Sequence, residues 1–132
     1  MNDKINIKNL VAYAIIGINS WERQTKQKIE IDIEIESDLS QAMRSDDIND
    51  TVNYRTISKK IMEHVASSEY YLVEKLANKL IEICFNEDQN CISVKMTIRK
   101  PGAVRFSESV GVTIMRKRNE KWKILRSNNS GW

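Results

Sequence analysis

The chain of 132 residues is poor in the side chains that metal and nucleophilic enzymes depend on. It has one histidine, His64, and two cysteines, Cys84 and Cys91. A catalytic zinc takes three protein ligands from His, Cys or carboxylates, and no such group can be assembled here, so no metal is expected. A Ser-His-Asp triad is likewise excluded, because His64 falls in the middle of a helical pattern. It reads as a surface or half-buried helical residue. The separation of the two cysteines matches no metal-ligand spacing, and they read as buried thiols of a reducing compartment. There is no apolar run near the ~20 residues that span a bilayer. The opening MNDKINIKNL lacks the basic start and apolar stretch of a signal peptide, which points to the cytoplasm and to no membrane partner.

Charge of one sign is also scarce: the net charge is +3, too small to imply nucleic-acid binding. Much of the excess sits late, in Arg116-Lys117-Arg118 and in Lys121, Lys123 and Arg126. Trp122 and Trp132 interleave with this run, as aromatics do in some nucleic-acid-binding segments. The simpler reading is a solvated, flexible tail over 117–132, behind a single domain over 1–116. With 41% hydrophobic and 30% charged residues, the chain has an ordinary globular balance and enough length for one core.

Hydrophobic periodicity orders the elements. Residues 4–16 are extended, with Ile5 and Ile7 alternating against polar neighbours, and Gly17 and Asn19-Ser20 signal a loop. Residues 28–36 give the clearest strand: Ile29, Ile31, Ile33 and Ile35 share one face, and Glu30, Asp32 and Glu34 the other. A helix would scatter those isoleucines around its circumference. One helical turn follows at 38–43, with Asp38 as its cap. Helical spacing then covers 55–66 (Ile57, Ile61, Val65) and 69–85, where Leu72, Leu76, Leu80 and Ile83 form one stripe. Val94, Met96 and Ile98, and later Val110, Val112 and Ile114, mark two final strands, with Pro101-Gly102 at the turn between them.

This order implies an α+β fold, an antiparallel four-stranded sheet with two helices on one face, in the order ββααββ. The open face would set Glu30, Asp32 and Glu34 against Lys95 and Arg99. Two long edges remain, and the sequence carries no proline or bulge signal to protect them, so self-association is expected.

Four positions stand out for chemistry, and each has an ordinary explanation. Glu22 reads as an exposed loop carboxylate, and Tyr54 as a core plug at a helix start. Glu74 reads as a solvated glutamate favoured by the helix dipole, and Lys100 as a solubilising strand-end lysine.

Read together, several stretches resemble the dihydroneopterin aldolase family. They are Ile16-Gly17-Ile18, Trp21-Glu22-Arg23, Gln27, Ser45-Asp46-Asp47-Ile48, Asp50-Thr51-Val52-Asn53-Tyr54, Leu72-Val73-Glu74-Lys75-Leu76-Ala77, Lys100-Pro101-Gly102-Ala103-Val104 and Ser109-Val110-Gly111-Val112. They fall in the family's order and spacing across 4–116. The resemblance implies the tunnelling fold, closed into homo-tetramers or homo-octamers with active sites between subunits. It implies a pterin substrate anchored by the Glu74 carboxylate and the backbone around Val73. Tyr54 would come from the neighbouring subunit, Glu22 would hold the substrate side chain and ordered water, and Lys100 would be the principal acid–base residue. The implied reaction is cofactor-free retro-aldol cleavage of 7,8-dihydroneopterin, with some 2′-epimerisation.

The alternative is a dihydroneopterin triphosphate 2′-epimerase, which Ile48-Asn49-Asp50, Asn53-Tyr54-Arg55-Thr56 and Arg105-Phe106-Ser107-Glu108-Ser109-Val110 resemble. Zinc-dependent tunnelling-fold enzymes need ligands that this sequence lacks. A non-catalytic nucleic-acid-binding or scaffold protein is the remote alternative, and steep salt-dependent DNA binding would reveal it.

Overall fold

The isoleucine alternation forms the central strand of the sheet in the computed structural model, which describes residues 2–118. Strand β2 (Gln27–Ser37) lies between β1 (Asp3–Ala14) and β3 (Ser93–Pro101), and β4 (Ser109–Lys117) pairs with β3. All three pairings are antiparallel, in the order β1-β2-β3-β4. Between the strand pairs come the short α1 (Ser40–Ser45), then α2 (Tyr54–Ser67) and α3 (Val73–Glu87). Both long helices cover one face of the sheet. No described helix is long and apolar enough to cross a membrane.

Ile29, Ile31, Ile33 and Ile35 are fully buried beneath the helices, beside Val94, Met96 and Ile98 of β3. Burying an isoleucine stabilises the fold by roughly 1.5–3 kcal/mol, so this doubly covered core anchors the middle of the sheet. From α2 it receives Ile57, Ile61 and Val65. The open face carries the expected charge pairing: Glu30 stands opposite Arg99 and Glu34 opposite Lys95. Arg99 donates to Asp32 at 2.6 Å and to Glu30 at 3.4 Å.

The structure departs from the sequence expectations in several places, each for a local reason. Strand β1 does contain a bulge, at Lys8-Asn9, where the register with β2 shifts between Ile7 and Leu10. Asn9 takes a left-handed conformation (φ 53°), which asparagine tolerates better than most residues, and its N–H donates to Asp32 Oδ1 at 2.7 Å. The extra residue moves the inward positions from Ile5 and Ile7 to Leu10, Ala12 and Ala14. Helix α1 begins at Ser40, with Leu39 rather than Asp38 at its N-cap, and Asp38 instead accepts from the Ser40 N–H in the preceding turn. Asn53 caps α2 by accepting from Thr56 N–H.

Helix α3 starts at Val73, four residues later than the periodicity predicts. Its buried stripe is Leu76, Ala77, Leu80, Ile81, Cys84 and Phe85; Ile83 is half-buried and Leu72, just before the helix, is exposed. At the other end of the chain, the boundary drawn after residue 116 falls inside β4. Arg118 follows that strand, and its guanidinium donates to the carbonyls of Cys91, Phe85 and Asp88. The rest of the basic tail, with Trp122 and Trp132, lies outside the described residues.

Both thiols are free and buried, and His64 is half-buried with its Nε2 2.8 Å from the Tyr70 hydroxyl.

Candidate active site

Antiparallel pairing brings three chain segments to one end of the sheet. The end of β1 pairs with the start of β2 (Ala14 with Gln27), and the end of β3 lies beside that same start, since Glu30 pairs with Arg99. The loop after β1 folds back over this corner and ends in a 3₁₀ turn, Ser20–Arg23. Strand alternation then separates two adjacent cations. Arg99 faces the open side with Asp32, while Lys100 shares its side with the buried Ile98 and reaches under the loop.

There Lys100 Nζ meets Glu22 Oε2 at 2.7 Å. Neither residue fits its ordinary explanation: the side chains are 15% and 7% exposed, so Glu22 is not a solvated loop carboxylate and Lys100 is not a solubilising lysine. Every contact of the Glu22 carboxylate is a donor. Oε1 accepts from the Asn19 N–H at 3.2 Å and Asn19 Nδ2 at 2.9 Å, and Oε2 also accepts from Gln27 Nε2 at 3.2 Å. The Lys100 ammonium, opposed by burial but helped by Asn19 and Gln27, holds the Glu22 carboxyl down to about 2 against an ordinary 4.5. Gln27 is fixed in turn by donating to the Ile16 carbonyl at 2.7 Å.

Gly17 makes room for this arrangement. Its φ is +126°, and a Cβ there would fall 2.2–2.3 Å from the Glu22 carboxylate atoms. The glycine is therefore required by backbone and by neighbour alike.

The segment before α3 is tied to the same loop. Arg23 Nη1 donates to the carbonyls of Gly17 at 3.0 Å and Tyr70 at 2.9 Å, and Nη2 donates to the carbonyl of Glu69. The guanidinium also stacks 4.2 Å above the Tyr71 ring. Gly17 N–H adds a longer bond to Tyr70 O, 3.4 Å. Half-buried Val73 and exposed Glu74, at the start of α3, thus begin three residues beyond a backbone fastened to the Glu22 loop.

Tyr54 is not part of this cluster. Lys26 Nζ bonds the Ala66 carbonyl at 2.9 Å, which puts the far end of α2 near the site. Tyr54 opens the same 14-residue helix and so lies about 20 Å away along its axis. Its side chain is 55% exposed, not plugged into the core. One chain therefore brings Glu22 and Lys100 together, with Val73 and Glu74 a few residues beyond the backbone tied to the same loop, and displays Tyr54 at the far end of α2.

Asn19, Arg23 and Gln27 hold the site, yet none stood out by residue type. Arg23 and Gln27 lie in stretches that carry the family resemblance and Asn19 in the loop signal, but nothing in the sequence assigns any of them a role. Among the described residues, no three His, Cys, Asp or Glu side chains are grouped so as to hold a metal ion.

Comparison with known proteins shows the family of the chain. The family described as dihydroneopterin aldolase (FolB) matches residues 5–115. Dihydroneopterin aldolase of Haemophilus influenzae is 34% identical over 114 residues, which cover 86% of this chain and 96% of that protein. Dihydroneopterin triphosphate 2′-epimerase of Escherichia coli is 36% identical over 110 residues, covering 83% and 91%. Folic acid synthesis protein FOL1 of Dictyostelium discoideum is 40% identical over 119 residues, but those span only 17% of its length. Among solved structures, E. coli dihydroneopterin aldolase in complex with neopterin superposes with a TM-score of 0.82 at 34% identity, covering 86% of this chain and 98% of that one. A Vibrio cholerae protein described as a dihydroneopterin aldolase gives 0.85 at 34% identity, covering 88% and 98%.

Proposed function

The chain belongs to the dihydroneopterin aldolase family, and on that premise we propose that it cleaves 7,8-dihydroneopterin by a retro-aldol reaction at the Glu22–Lys100 pair. The observation that carries this reading is the 2.7 Å contact between two side chains 78 residues apart, both withdrawn from solvent at the sheet corner.

In the proposed mechanism the pterin ring is anchored by the Glu74 carboxylate, which accepts from its 2-amino group and N3, with the backbone around Val73 adding polar contacts. Glu22 stays ionised at neutral pH inside its cage of donors and orients the trihydroxypropyl side chain and its water. Lys100 serves as the acid–base group. Removal of the 2′-hydroxyl proton breaks the C1′–C2′ bond, glycolaldehyde leaves, and the electron pair passes into the N5=C6 imine. Protonation gives 6-hydroxymethyl-7,8-dihydropterin. The substrate carries its own electron sink, so the mechanism asks nothing of a lysine Schiff base. Tyr54 takes part from a neighbouring subunit, because within one chain α2 holds it a helix length away. A homo-tetramer or homo-octamer, pairing the free edges of β1 and β4, would supply that neighbour.

One observation favours a second reading: identity to the triphosphate 2′-epimerase (36%) is no lower than to the aldolase (34%). Epimerisation is the same cleavage followed by re-addition before glycolaldehyde escapes. The test is to incubate the protein with 7,8-dihydroneopterin and, separately, with its triphosphate, and to resolve the products by chromatography. Release of 6-hydroxymethyl-7,8-dihydropterin, reduced about 10²–10⁴-fold in Lys100→Ala, is the expected result. The 2′-epimer of the triphosphate as sole product would select the epimerase. No change in either substrate would sink the site assignment.

A further inference from the structure

Helical periodicity runs from residue 69, yet α3 starts at Val73, and the interruption coincides with the Arg23 contacts. In a helix begun at Glu69, the carbonyls of Glu69 and Tyr70 would accept from the N–H groups of Val73 and Glu74. Those two carbonyls are instead taken by Arg23, and the second also by Gly17 N–H. The first intrahelical bond of α3 is therefore Leu76 N–H to Leu72 O, at 3.3 Å. Leu72, extended at φ −120° and ψ 139°, has no side-chain oxygen with which to cap the freed amides. Charge-assisted bonds to carbonyls, in a half-buried site and backed by the Tyr71 ring, are strong enough to compete with one helical turn.

We infer that Arg23 is a positioning residue that keeps the start of α3 open, by capturing the two carbonyls that would otherwise close a turn over the Val73 and Glu74 amides. The inference deepens the proposed pterin site and rests on it for its effect on catalysis. Without Arg23, α3 gains access to a state extended towards residue 69, with those amides occupied and Glu74 turned into the body of the helix. Binding then draws only on the open fraction of molecules, so apparent affinity falls by that fraction. The Glu22–Lys100 pair has its own supports in Asn19 and Gln27 and stays formed.

The test compares wild type with Arg23→Gln. KM for 7,8-dihydroneopterin and Kd for neopterin are expected to rise about tenfold or more, while kcat at saturation changes less than about threefold. Hydrogen exchange, read without substrate, should show slower exchange at the Val73 and Glu74 amides of the variant as the turn closes. Adding Tyr71→Gly, which disfavours upstream helix, should recover much of the lost affinity; a merely structural role would not be rescued by a second destabilising change. If Arg23→Gln does not fold, Arg23→Lys is read instead, with an intermediate KM expected because an ammonium cannot span the same carbonyls. Unchanged exchange at 73 and 74, or a fall in kcat with KM constant, overturns the inference. A wild type that turns over neither pterin removes the proposed function, whereas the exchange comparison still decides by itself what Arg23 does to α3.

Discussion

Replacing Glu22 by glutamine keeps the shape of the side chain and reverses the sense of half its hydrogen bonds. The four groups around the carboxylate, Asn19 N–H, Asn19 Nδ2, Gln27 Nε2 and Lys100 Nζ, are all donors, two to each oxygen. Whichever way the new amide is turned, its NH₂ faces two donors and one pair is left unsatisfied. The drop of the Glu22 carboxyl from 4.5 to about 2 bounds the favourable interaction at about 3 kcal/mol. An unsatisfied buried donor costs roughly 1–3 kcal/mol on its own. Glu22→Gln should therefore destabilise the protein by about 2–3 kcal/mol at pH 7, measured by urea unfolding at fixed subunit concentration. The sign with pH follows from a folded-state value below the unfolded one. The contribution is complete above about 4.5 and is lost as pH falls towards 2, so the wild-type and variant stability curves converge in that window. Parallel curves, or equal stability at pH 7, would refute the reasoning, because the carboxylate would then be doing nothing that a neutral amide cannot.

Gly17→Ala should be as damaging as any substitution in the site. It requires a strained φ, costing about 1–3 kcal/mol, and displaces the Glu22 carboxylate, so thermal stability and turnover should fall together. A variant with wild-type melting and activity would show that the loop is softer than described. The two thiols should resist a disulfide reagent in the native state and react fully in urea, since burial pushes Cys91 up to about 12 and Cys84 higher still. Rapid native labelling would contradict their burial. Burial, with Lys79 nearby, lowers His64, so its neutral form stabilises the fold above its ordinary value of 6.5 and that contribution fades as pH falls below it. His64→Gln should flatten stability between pH 7 and 5, and an unchanged slope there would count against it.

Sequence alone determined what depends on local spacing. The isoleucines at 29, 31, 33 and 35 could serve only a strand, Ile57, Ile61 and Val65 only a helix, and the order of elements set the sheet and its helical layer. It also delivered the family, since eight motifs in register are a property of the string itself. Tertiary structure decided everything that turns on which segments meet. Glu22 and Lys100 read as surface residues until the β2–β3 register laid the end of one strand beside the loop that opens the other. The bulge at Asn9 was hidden because a period of two has no memory of a skipped residue, and it is fixed by Asp32 on the neighbouring strand. Likewise the first residue of α3 was misplaced because helical spacing at 69–72 is satisfied locally. The competing partner for those carbonyls, Arg23, is 46 or 47 residues distant in the chain. Periodicity reports the face a residue would prefer, whereas hydrogen-bond competition across the fold determines where an element is allowed to begin.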